Sequence, residues 1–136
     1  MSKECAIEIL LNIEYSRDHI IKILKNGAGL NFVYYDHVLG KKYEDAQIIN
    51  AEEASHKVIH ALEANLEGGP CVYTVIGKGN VHLWFYESNG NLEFCMGSFG
   101  NPKKRDGILD FNYYIHLCLQ LCNELPILDL KAHCDE

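Results

Sequence analysis

Histidine, cysteine and carboxylate side chains are the ones in this chain that could do chemistry, and their spacing invites inspection at a few places. His56 and His60 stand four apart in a stretch of helical pattern, so their imidazoles are neighbours on one face. Helical zinc sites share that spacing, and Glu52, Glu63 or Glu67 could add a carboxylate. Between the histidines, however, lie Lys57, Val58 and Ile59, with no glutamate beside His56 to serve as a general base. A solvated helix face accounts for the pair, and no metal is assigned.

Cys118 and Cys122 are also four apart, but on an apolar stripe, where a reduced cysteine behaves as a small hydrophobe. Cys95 could be a nucleophile if a distant histidine served it as base. Nothing around it resembles a nucleophile signature, and in an alternating strand it is expected to pack. Gly97-Ser98-Phe99-Gly100 is not a nucleophile elbow, because the glycine that motif needs at position 96 is Met96. Gly77-Lys78-Gly79 lacks the third glycine of a dinucleotide fingerprint, and a hairpin explains it. The expectation is a protein with no catalytic, cofactor-binding or metal-ligating residues.

His82, Trp84 and Tyr86 alternate with Leu83 and Phe85, so the two sets point to opposite faces of a strand. Either the first set is an exposed surface of the kind that dominates interface hot spots, or the loop after Gly97 covers it. With the acidic helix face, these residues form the expected partner-binding set: Glu52, His56, Glu63, His82, Trp84 and Tyr86.

The elements that must carry these groups are legible in the pattern. Ile7, Ile9, Leu11, Ile13 and Tyr15 alternate with polar residues and predict a half-buried strand. Ser16 caps a following helix that Asn26-Gly27 ends. Leu30 to Tyr35 reads as a strand, the link His37 to Asp45 is polar, and Ala46 to Ile49 is expected to pair back. Asn50 with Glu53 opens a second helix whose stripe is Ala51, Ala54, Val58, Leu62 and Leu66, and Gly68-Gly69-Pro70 stops it. Strands over Cys71–Ile76, Val81–Glu87 and Leu92–Met96 form a meander, its second turn marked by Asn89-Gly90. Gly97 to Gly107 reads as loop. A third helix runs from about Leu109 to Leu125, with Phe111, Ile115, Cys118, Cys122 and Leu125 on one face, and Ile127 to Lys131 could add an edge strand.

The 136 residues have room for one domain, 1–136, and a hydrophobic share of 48% with 23% charged residues is that of a globular chain. No apolar run is long enough to cross a bilayer, and the N-terminus lacks the pattern of a signal peptide, so a cytoplasmic protein is expected. In that compartment all six cysteines, Cys5, Cys71, Cys95, Cys118, Cys122 and Cys134, should be reduced thiols. The net charge of −7 argues against nucleic acid, since only Lys103-Lys104-Arg105 is locally basic, and it suits attraction to a basic partner.

The run Asn50-Ala51-Glu52-Glu53-Ala54, Gly69-Pro70 before a three-strand meander, Gly97-Ser98-Phe99-Gly100, and a last helix ending Glu124-Leu125-Pro126 resemble small bacterial immunity proteins. These antitoxins are encoded beside polymorphic toxins, in particular a family often paired with deaminase toxins. The resemblance covers residues 46–131 and is one of layout. It departs from the family after Pro126, where members commonly carry a tryptophan and Ile127 to Lys131 has none. It implies stoichiometric binding that occludes a toxin, a basic toxin domain as partner, and no catalytic residues.

Together these readings predict an α+β fold, an antiparallel sheet in the order β-α-β-β-α-β-β-β-α with a possible last β, and helices packed on one face. The function expected is that of a cytoplasmic protein-binding inhibitor, most simply an immunity protein. The alternatives are a small cysteine- or metal-dependent enzyme and a secretion chaperone or adaptor.

Overall fold

The computed structural model describes residues 4–14, 16–27, 32–35, 48–64, 71–76 and 79–135. Outside them lie Tyr15, Leu30, the polar link His37 to Asp45, most of the strand expected near Ala46, the end of the second helix with Leu66 and Glu67, the Gly68-Gly69-Pro70 stop, and the Gly77-Lys78 turn.

The first strand, β1 (Glu4–Glu14), follows the alternation of its sequence: Ile7, Ile9 and Leu11 are wholly buried, while Glu8 and Leu10 on the other side are not. Helix α1 (Arg17–Lys25) begins where Ser16 Oγ accepts from the Asp18 amide at 3.2 Å. It buries Ile20, Ile23 and Leu24. Strand β2 (Phe32–Tyr35) follows, joined to Ile49 by an isolated bridge at Phe32. Helix α2 (Ala51–Glu63) is capped by Asn50, whose Oδ1 accepts from the Glu53 amide at 2.8 Å. It buries Ala54, Ser55, Val58, Ile59 and Ala61, and the Ser55 hydroxyl donates back to the Ala51 carbonyl.

Strands β3 (Cys71–Ile76), β4 (Gly79–Ser88) and β5 (Asn91–Gly100) form the expected meander. Asn89 and Gly90 both take positive φ, 52° and 83°, as a tight turn with the strands' own twist demands. The stretch expected to be loop after Gly97 is more ordered than its composition suggests. β5 continues to Gly100, and a small hairpin follows, β6 (Lys104–Arg105) with β7 (Ile108–Leu109). Asp106 and Gly107 turn it with φ of 54° and 80°, the same Asx-Gly chemistry as the first hairpin.

Helix α3 (Phe111–Leu121) ends a turn earlier than its apolar stripe predicts. Glu124 takes a left-handed φ of 68°, and Pro126 disfavours helical backbone at Leu125. Its buried face is Tyr114, Cys118 and Leu121, so Phe111 and Ile115 lie at the flanks. Strand β8 (Ile127–Asp135) is real and longer than the five residues expected.

The sheet is antiparallel, with strand order β2-β3-β4-β5-β1-β8. The protein is thus an α+β fold. One apolar cluster joins Ile7, Ile9 and Leu11 of β1, Leu83 and Phe85 of β4, and Phe94 and Met96 of β5 to the buried faces of all three helices. Each such side chain stabilises the fold by about 1.5–3 kcal/mol relative to exposure. The Arg17 guanidinium forks onto Glu63 with two bonds of 2.8 Å, tying α1 to α2.

One expectation is overturned. Cys5 and Cys134 are not reduced thiols but a disulfide, their Cα atoms 3.9 Å apart and 129 positions apart in sequence. They are directly opposed in the β1–β8 ladder. The two strands lie at opposite ends of the chain, and their adjacency could not be read from spacing. Among the described cysteines, Cys95, Cys118 and Cys122 remain free.

Candidate functional site

The sheet has two unlike faces. Val81, Leu83 and Phe85 of β4 are buried in the cluster beneath the helices, so His82, Trp84 and Tyr86 point the other way. Residues directly opposite in a ladder share a face, and the register therefore fixes their neighbours.

Three rows cross β4, β5, β1 and β8. The first runs His82, Gly97, Ala6, His133; the second Trp84, Cys95, Glu8, Lys131; the third Tyr86, Glu93, Leu10, Asp129. Among the described residues no helix packs on this face.

The segment after Gly97 does not cover it either. The register between β4 and β5 shifts between Asn80 and His82, which places an extra residue in β5 after Gly97. Beyond that bulge the Phe99 ring packs at a tilt against Tyr114 of α3, centroids 4.5 Å apart and planes at 56°. The Lys103 amide donates to the Tyr114 hydroxyl at 2.9 Å, and the Lys103 ammonium lies 4.4 Å from the Tyr113 ring centroid. The segment is drawn onto the helical side.

Within the face, the rings of His82 and Trp84 stack with centroids 5.3 Å apart and planes at 19°. The Trp84 ring lies over Gly97, and a Cβ there would stand 3.4 Å from its Cζ3. Glycine is what lets an indole lie down on this sheet. Cys95 sits at the centre, opposite both Trp84 and Glu8. Burial, and then the charges of Glu8 and Glu93, push its thiol up to about 11. Glu8 is met by His133, Nε2 to Oε2 at 3.3 Å.

The expected partner-binding residues fall into separate places. His82, Trp84 and Tyr86 share the open face and are half-buried there. Glu52 and His56 are exposed on α2, behind the other face of the sheet. Glu63 is held in the Arg17 fork. One flat partner surface cannot touch both groups. Glu8, Glu93, Cys95 and His133 belong to the aromatic face, and the sequence reading did not include them. The alternation in β1 signals that Glu8 points away from the core, but which strand stands beside β1 is a property of topology.

The groups considered for chemistry are similarly placed. His56 and His60 are both exposed on α2. Among the described residues, no three His, Cys, Asp or Glu side chains converge as metal ligands. Cys118 and Cys122 are buried beneath α3, which pushes both thiols up, that of Cys122 to about 12, and the Cys118 thiol contacts Met96 Sδ at 3.7 Å. A shallow depression beside α3 is lined by Lys103, Asp110, Asn112, Tyr113, His116, Leu117 and Gln120, with no thiol among them. Its carboxylate, Asp110, accepts the Tyr113 amide as the helix cap. No helix is long and apolar enough to cross a membrane, among the described residues.

Comparison with protein-family models, with curated proteins and with solved structures finds no match to this chain.

Proposed function

We propose that this protein is a small protein-binding inhibitor of the immunity type, and that it meets its target with the face of its sheet that none of the described helices covers. One observation carries this reading: the helices occupy one face of the sheet, and the other presents a stacked His82–Trp84 pair beside Tyr86. Tryptophan and tyrosine give large contact area for little lost side-chain freedom, and they head the residue types found at hot spots. Strands inside a ladder hold them rigidly, which lowers the entropic cost of association.

The state of Cys95 supports binding over thiol catalysis. A nucleophilic cysteine needs a thiolate near neutral pH, and here burial and two carboxylates hold the proton on. The layout resemblance to immunity proteins and the net charge of −7 fit the same reading, with a basic toxin domain as the target. Such an inhibitor works in the cytoplasm, where the exposed Cys134 leaves the Cys5 bridge open to the thiol pool.

The test is affinity capture from native lysate with the wild type, W84A and the double variant E52A/H56A. The reading expects one stoichiometric partner, held by the wild type and by E52A/H56A and lost by W84A, whose activity the bound chain suppresses. Failure of the wild type to hold a partner, or equal capture by W84A, overturns it.

A further inference from the structure

The aromatic face is flanked by carboxylates. Glu93 stands directly opposite Tyr86 on β4, and Glu8 stands opposite Cys95, whose other neighbour is Trp84. Both carboxylates reach Cys95 electrostatically, so negative charge lies around the shelf formed by Trp84 and His82. Glu8 is partly answered by His133 at 3.3 Å, while Lys131, opposite it in the ladder, pairs with Asp129 at 3.9 Å. Among the described residues, no cation pairs with Glu93.

This pattern constrains what can be laid on the face. An apolar surface would strip water from two carboxylates and return nothing, a cost that buried charges rarely recover. Phosphate would meet like charge. A cation is attracted both by the face of an indole and by the carboxylates beside it. Between the two protein cations, the guanidinium is the better fit. It is planar and weakly hydrated, stacks on an aromatic ring, and donates in a fork that matches a carboxylate, whereas an ammonium is a compact and strongly hydrated point charge.

We infer that the partner protein engages this face through an arginine side chain, stacked on Trp84 and paired with Glu93. The inference rests on the open face being the interface, and it names the residue type that the face selects. Glu8, already met by His133, supplies longer-range attraction, so its removal weakens binding less than removal of Glu93.

Trp84 is the only tryptophan in the chain, so its emission reports on this site alone. The probe is a capped tri-arginine peptide, titrated at low ionic strength against the oxidised protein, with tri-lysine and tri-glutamate as comparisons. The expected result is a saturable change in emission with tri-arginine, weaker binding of tri-lysine, and no response to tri-glutamate. E93Q weakens tri-arginine binding about tenfold, the loss of one charge-assisted pair, and E8Q weakens it less. Circular dichroism of both variants confirms that the fold is retained. No saturable change with tri-arginine, equal binding of tri-lysine, or an unchanged affinity in E93Q overturns the arginine assignment. If that happens while W84A still loses its captured partner, the face remains an interface and only the arginine is wrong. If W84A also keeps the partner, the parent reading fails with it.

Discussion

The Trp84 ring and Gly97 are pressed together on adjacent strands: a Cβ added to Gly97 would lie 3.4 Å from Trp84 Cζ3 and 3.2 Å from the Cys5 carbonyl oxygen. An aromatic side chain here rests on bare backbone, and the site's shape depends on a residue that has no side chain.

G97A therefore forces the indole or the β1 strand to give by a few tenths of an ångström, and G97V forces more. Overpacking of this kind costs about 1 kcal/mol for the first and about 2–3 kcal/mol for the second. Urea denaturation gives the loss, and the emission maximum of the single tryptophan should move as the ring lifts. Unchanged emission in G97V would show that the ring does not rest there.

The three free thiols among the described residues make stability depend on alkaline pH. Each has a folded-state pKa above the ordinary value of 9.0: Cys95 at about 11, Cys122 at about 12, and Cys118 raised by burial and its neighbours. A raised folded pKa means the native state binds the proton more tightly than the unfolded chain. The contribution is fully present below pH 9 and is lost as pH climbs through the folded values. Urea midpoints measured from pH 7 to 11 should fall above pH 9, and the fall should be shallower in C122A. Iodoacetamide should label Cys95 slowly at neutral pH and faster in E8Q/E93Q, where the charges that raise the thiol are gone.

Reduction of Cys5–Cys134 opens a loop whose ends are 129 positions apart. On the chain-entropy account, a closure of this length is worth about 4–5 kcal/mol. Unfolding free energies from urea denaturation should be lower by that amount in dithiothreitol-treated protein and in C5A/C134A than in oxidised protein, with the first two alike. Equal values in all three would mean that the bridge contributes nothing to stability.

The Arg17–Glu63 fork is well shaped but exposed, with side chains at 66% and 42% of full accessibility. Solvent screening limits it to about 0.5–1 kcal/mol. R17A should cost no more than that, and the difference from wild type should shrink in 1 M salt. A loss well above 1 kcal/mol would mean that the fork locks α1 against α2 more firmly than its exposure allows.

Much of the fold could be read from residue patterns because the physics involved is local. The alternation of Ile7, Ile9 and Leu11, the Asn50 cap and the Asn89-Gly90 turn each act within a few residues, and each is where the pattern puts it. The Asp106-Gly107 hairpin carried the same signal but was absorbed into a stretch that reads as loop. The stop of α3 at Leu121 turns on the left-handed backbone of Glu124, which a helix-periodic stripe does not encode.

The site was legible only in halves. Alternation separates His82, Trp84 and Tyr86 from Leu83 and Phe85, but not which set meets the helices. The neighbours on the open face depend on β1 sitting between β5 and β8, a long-range pairing with no spacing signature. That same pairing brings Cys5 to Cys134 and Glu8 to Cys95.

The sulfur link between β1 and the edge strand β8 gives the protein an unusual mechanical character. Tension applied at the two tails passes through Cys5 and Cys134 and bypasses the residues between them. An unfolding machine that grips either tail must draw in a doubled chain rather than a single thread until the bond is cut. Resistance to being pulled apart is therefore set by the redox chemistry of its surroundings as well as by its packing.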